Sequence, residues 1–266
     1  MSIAHTPPES KRIFLNFSDF LLRAAGGCAK GWIRMTERTT VQIFGDSIMK
    51  GVWYDGNAGR YRLVRDRFAA LEEYTVENRA VMGMTVVGGW ETMQKRLHDP
   101  DSAMVLLEFG GNDCDYSWQE IAADPTGIHR PHTDRDVFVS QYAQLVEFAL
   151  DKGAAVFLCN LVPLDAHRYM DWITRACDRD AVLSWLGDAS MLYRWQEYYN
   201  RAVEELAYRY GCPMIDVRSA FLSSHRYPQL LCADGIHPSP AGHAMIDTLI
   251  AERIHAETAV KANVAV

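Results

Sequence analysis

From residue 40 onward the chain alternates short, almost continuous apolar runs with longer segments of helical period, and few folds can use that alternation. The runs are Thr40-Val41-Gln42-Ile43-Phe44, Tyr74-Thr75-Val76-Glu77-Asn78, Ala103-Met104-Val105-Leu106-Leu107-Glu108-Phe109, Ala154-Ala155-Val156-Phe157-Leu158-Cys159 and Pro213-Met214-Ile215-Asp216-Val217. Strands this apolar belong in a sheet buried on both faces. Between them, Phe138, Tyr142, Leu145, Val146 and Ala149 recur at helical spacing, as do Trp195, Tyr199, Ala202, Val203, Leu206 and Tyr210. Gly153 and Gly211 follow these segments, where a helix C-terminus takes positive φ. Strand–helix alternation predicts right-handed crossovers and a parallel sheet in a three-layer α/β/α sandwich. The aromatic stripe Trp195, Tyr198, Tyr199 reads as core rather than as a sugar platform.

A chain of 266 residues, 48% hydrophobic, is long enough for one such domain. Its net charge of −7 argues against a nucleic-acid partner, which needs a basic face. No apolar run approaches the ~18 residues of a membrane helix. The six cysteines (Cys28, Cys114, Cys159, Cys177, Cys212, Cys232) form no CxxC pair, so they read as scattered reduced thiols of a cytoplasmic protein.

Residues 1–39 read as an N-terminal extension, 40–257 as the single folded domain and 258–266 as a tail. In the extension, Asn16, Ser18 and Asp19 interrupt what would otherwise be a secretory apolar segment. Ala25-Gly26-Gly27-Cys28 lacks the Leu expected of a lipoprotein box. The stretch reads instead as a short amphipathic appendage, or translation begins at Met35, five residues before strand-like sequence starts.

In parallel sheets, sites form at the carboxyl ends of strands. Polar blocks stand there: Gly45-Asp46-Ser47-Ile48, Asn78-Arg79-Ala80-Val81-Met82-Gly83 and Gly110-Gly111-Asn112-Asp113, with Asp234-Gly235-Ile236-His237-Pro238 near the end. Acyl transfer needs a serine whose proton a base removes, and a histidine can do so when a carboxylate fixes its tautomer. Asp234 and His237 are three apart in a Gly- and Pro-bounded loop, so one turn can point both the same way. An oxyanion needs preorganised donors. Candidates are the Ser47 N–H, the Gly83 N–H and the Asn112 side-chain amide. Each block alone is a common polar turn; four in this order are a strong signal.

In these blocks the sequence resembles the SGNH hydrolases, the GDSL esterase/lipase superfamily, from about Val41 to about Ile254. The resemblance implies a flavodoxin-like fold with a mainly five-stranded parallel sheet and no metal or organic cofactor. It implies that Ser47 is the nucleophile, His237 the base and Asp234 its orienting carboxylate, with Ser47, Gly83 and Asn112 forming the oxyanion hole. Ala80 and Gly111 depart from the family's frequent Gly and Thr, at positions that supply no catalytic group.

Asp46, Asp113 and His243 read as structural, and His129 and His132 lack the further ligands of a zinc set. The long segments 114–136 and 163–192 read as a lid, with Trp118, Arg168, Tyr169 and Trp172 as substrate-contacting candidates; packing of Trp172 and Trp185 on the core is the competing reading. The expected activity is a serine esterase on short acyl esters, with O-acetyl groups on a carbohydrate or glycoconjugate as one candidate class. A thioesterase, lysophospholipase or acyltransferase on the same triad is the alternative, and a silent binding module the alternative of another class. The expected partner is a small-molecule or carbohydrate ester.

Overall fold

The structure, a computed structural model, describes residues 39–264. The expectations for the N-terminal extension, including Cys28 and a start at Met35, fall on residues outside these. In chain order the elements are β1 (Thr40–Gly45), α1 (Ser47–Lys50), β2 (Val52–Asp55), β3 (Arg60–Leu63), β4 (Thr75–Asn78), α2 (Val86–Arg96), β5 (Ala103–Glu108), α3 (Trp118–Ala123) and α4 (Arg135–Asp151). There follow β6 (Ala155–Cys159), α5 (Ala166–Ile173), α6 (Arg179–Leu186), α7 (Ser190–Tyr210), β7 (Met214–Ile215), α8 (Val217–Leu222), α9 (Tyr227–Leu230) and α10 (Pro240–Val264). The five apolar runs form one parallel sheet in the order β4–β1–β5–β6–β7.

Strand side chains alternate between two faces, and both faces are buried. Phe44, Val105, Leu107, Val156 and Leu158 pack against α2, α4 and α7. Val41, Ile43, Met104, Leu106, Phe157 and Cys159 pack against α8 and α10, through Val217, Phe221, Ile246, Ile250 and Ile254. Each large apolar side chain taken fully out of water contributes about 1.5–3 kcal/mol. The close approach of α2 to the sheet depends on Gly89, where a Cβ would stand 2.4 Å from the Phe109 ring. Gly153 and Gly211 do take positive φ, at 91° and 62°.

Several local features differ from the sequence reading. The last apolar run yields a strand of two residues, because the Asp216 carboxylate accepts from Ser219 N and starts α8 there. The segment 163–192 is largely helical, and α5 and α6 join α3 in a third apolar cluster around Ile121, Met170 and Val182. An unanticipated antiparallel hairpin, β2–β3, follows α1, its tip closed by Asp55 accepting from the N–H groups of Asn57 and Ala58. The aromatic stripe of α7 divides. Tyr199 is core, while Tyr198 is half exposed and carries the Arg135 guanidinium on its ring. Helix α10 continues past residue 257 to Val264.

Candidate active site

Ser47 opens α1 directly after β1, so its N–H lies ahead of the intrahelical ladder. Asp46 accepts from Ile48 N at 2.8 Å and fixes that turn. Arg67 holds the far end of the short helix, donating to Ile48 O and Met49 O at 2.8 and 2.7 Å while paired with Asp247. The serine is therefore placed by a clamped turn at a strand's carboxyl end.

Asp234 and His237 sit in the loop before α10, and the turn between them points both inward. Asp234 Oδ1 accepts from Ile236 N and His237 N at 3.2 and 3.1 Å. Its Oδ2 lies 2.7 Å from His237 Nδ1, and His237 Nε2 lies 3.0 Å from Ser47 Oγ. With the Nδ1 proton on the carboxylate side, Nε2 is left to accept the serine hydroxyl proton. All three residues are buried. Gly235 permits the turn: its φ is +76°, and a Cβ would meet Tyr169 N at 2.6 Å.

The second and third blocks arrive at the same point. Asn78 organises its loop by accepting from Ala80 N and donating to Met49 O. Val81 N donates to Gly45 O, which extends the sheet pairing and carries Gly83 to the rim of the cavity beside Ser47. Asn112 Nδ2 donates to Asp46 Oδ2 at 2.8 Å and to Met84 O at 3.2 Å. Asp113 takes no part in this line-up; it accepts from Val86 N at the start of α2, and burial pushes its carboxyl up to about 6.

Two neighbours were not read from the sequence. Glu108 ends β5, buried beside Asp46 and lining the cavity. Burial, then the Asp46 charge and a hydrogen bond to Asp46, hold its carboxyl well above the usual carboxylate range. Among the described residues its Oε2 has no hydrogen-bond partner. The only hint was a single Glu inside an otherwise apolar run. Tyr61, from the hairpin, sets its ring edge-on to His237 with centroids 5.1 Å apart. Burial and the Asp234 charge raise its phenol.

The four substrate-contacting candidates separate. Trp118 and Tyr169 line the cavity, with Trp118 Nε1 and Tyr169 OH both donating to Asp115 Oδ1. Trp172 stands outside it, against Tyr54 and Tyr61 of the hairpin, with the Arg175 guanidinium over its ring. Arg168 faces away and donates to Pro228 O and Leu231 O, bracing the loop that carries Asp234. His243 is buried and bonds Val52 O at the base of the hairpin. Among the described residues no group of three His, Cys, Asp or Glu side chains could hold a metal ion, and no helix is long and apolar enough to cross a membrane.

Residues 43–245 match the model of the GDSL-like lipase/acylhydrolase family. No curated protein matches the chain. Among solved structures, an alpha/beta hydrolase enzyme from the metagenome of Lake Arreo, Spain, superposes with a TM-score of 0.58 at 20% identity, covering 84% of this chain and 97% of its own. A GDSL-like lipase from Bacteroides thetaiotaomicron gives 0.56 at 18% identity, covering 91% and 100%. An acetyl xylan esterase gives 0.50 at 19%, covering 82% and 98%. At these identities the likeness establishes a shared fold.

Proposed function

The chain belongs to the GDSL-like lipase/acylhydrolase family and is an ester-hydrolysing enzyme, and on that premise we propose that it is a serine esterase working through an acyl-enzyme on Ser47. The observation that carries this reading is the unbroken hydrogen-bond chain from Ser47 Oγ through His237 to Asp234. Ser47 attacks the ester carbonyl as His237 Nε2 takes its proton. The imidazolium is stabilised by Asp234 and then protonates the departing alkoxide. The Ser47 N–H, the Gly83 N–H and Asn112 Nδ2 receive the oxyanion, with Asn112 turning from Met84 O while Asp46 keeps hold of its other N–H. Water, activated by the same histidine, releases the acid.

For the substrate we propose short acyl esters. The sequence expectation of an O-acetylated carbohydrate has two halves. Its sugar half is supported by the Tyr54–Tyr61–Trp172 aromatic cluster, in which Tyr61 lies against His237 and Arg175 covers the Trp172 ring, a combination that suits a ring-shaped polar alcohol. Its acetyl half sits poorly with a cavity far larger than two carbons require. The direct test is labelling with a fluorophosphonate probe. The native protein should label and hydrolyse aryl esters, and Ser47→Ala should do neither while keeping its melting temperature. Labelling retained in Ser47→Ala would refute the assignment.

A further inference from the structure

Resting on that esterase reading, we propose that the cavity beside Ser47 is an acyl site selective for an apolar acyl group of about six to eight carbons, so that the natural ester carries an acyl group larger than acetyl. The cavity measures about 170 Å³. An apolar cavity of ~150 Å³ accepts benzene, which has six carbons.

The wall supports an apolar occupant. Tyr116 lies at its centre, with ring centroids 5.1 Å from Trp185, 5.6 Å from Trp118 and 6.0 Å from Trp195. Leu164 and Leu192 complete it. Several polar atoms of this wall are already engaged by protein partners. Trp195 Nε1 donates to Cys114 O at 2.9 Å, and Trp118 Nε1 and Tyr169 OH donate to Asp115 at 2.8 and 2.6 Å. Gln196 donates to Val162 O and accepts from Leu164 N. A polyol placed here would have to give up its water with few groups to replace it, whereas a hydrocarbon gives up nothing.

The position of the cavity assigns it to the acyl half. The leaving oxygen must face His237 Nε2, which protonates it. On the outer flank of that imidazole stands Tyr61, followed by Tyr54 and Trp172. None of these three lines the cavity, which instead runs from Ser47 past Asn112 and Cys114 beneath α6 and α7. Alcohol and acyl group thus lie on opposite sides of the histidine.

The test is kcat/KM of the full chain on p-nitrophenyl esters from acetate to laurate, with Leu186→Trp and Ser47→Ala alongside. Leu186 is a half-buried residue that lines the cavity and packs against the third apolar cluster, so a larger side chain there narrows the space, and a thermal melt checks that the variant folds. The expected optimum is hexanoate to octanoate, about 10²-fold above acetate, from the transfer of four additional methylenes. Laurate should fall at least tenfold below the optimum. In Leu186→Trp the hexanoate-to-acetate ratio should drop at least tenfold. An optimum at acetate, no fall at laurate, or an unmoved ratio in a folded Leu186→Trp overturns the acyl-site proposal. Activity surviving in Ser47→Ala overturns the esterase reading instead, so the two failures are distinct.

Discussion

Replacing Glu108 by Gln should stabilise this protein more with each pH step inside the window between the unfolded and folded pKa values of Glu108. Glu108 is 2% exposed at the end of β5, beside Asp46, with one carboxyl oxygen unpartnered among the described residues. Burial and Asp46 keep its pKa well above the ordinary value, so the folded chain holds a proton that the unfolded chain releases near pH ~4.3. The folded state therefore binds more protons, and stability declines as pH rises from the unfolded value through the folded one. The loss is about 1.4 kcal/mol per pH unit inside that window. Gln cannot ionise, so its variant escapes this slope, while its amide can still donate to Asp46. A constant offset is expected from the second amide hydrogen, which has no evident acceptor, so the slope carries the test. For a domain of this size 1 kcal/mol moves Tm by about 2–4 °C, and the Tm difference should widen by about 3–6 °C per unit. Asp113, with its carboxyl raised to about 6, and Asp46, also raised by burial, are present in both proteins, so the change in slope reads the Glu108 carboxyl together with its coupling to them. Thermal melts of the two proteins across pH 5 to 8 measure it. A Tm difference that stays constant or shrinks would show that Glu108 is ionised in the fold, and the reasoning would be wrong.

Asn112→Ala should cut kcat by about 10²–10³ with little change in KM, as for loss of one oxyanion donor; a change confined to KM in steady-state kinetics would make it a ground-state contact. Trp172→Ala should harm a bulky carbohydrate ester more than a small aryl ester of the same acid, because remote contacts count only when the substrate reaches them; equal losses with a lowered Tm would mark Trp172 as packing. His243 has its pKa lowered to about 3, chiefly by burial, so the unfolded chain binds the extra proton below ~6.5. It should cost stability as pH falls from there, about 1.4 kcal/mol per unit, and His243→Gln should flatten that acid slope in denaturant titrations. A chain beginning at Met35 keeps every residue given a role here, so its kcat/KM should stay within about threefold, or ~0.65 kcal/mol; an inactive product would make the preceding residues part of the site.

The sequence by itself determined the sheet and singled out the candidate chemical groups. Nearly continuous apolar strands can be satisfied only between two helical layers, and Val41, Ile43, Met104 and Leu106 read that way at a glance because burial on both faces leaves a one-dimensional trace. Ser47, Gly83, Asn112, Asp234 and His237 were legible as candidates because each sits in a short polar block just past a strand or before a helix, although their partners lie far along the chain. What depended on long-range approach left no such trace. Glu108 was one polar letter in an apolar run until β1 and β5 paired in register and set it beside Asp46. Tyr61 had no chemical meaning until the hairpin folded back onto His237, far along the chain. Trp118, Arg168, Tyr169 and Trp172 were all plausible lid residues; only the packing of α3, α5 and α7 turned two into the cavity, one toward the hairpin and one into the Asp234 loop. A helix period fixes which face is apolar, but not which neighbour that face meets, and the partition of those side chains is a property of the packed layers alone.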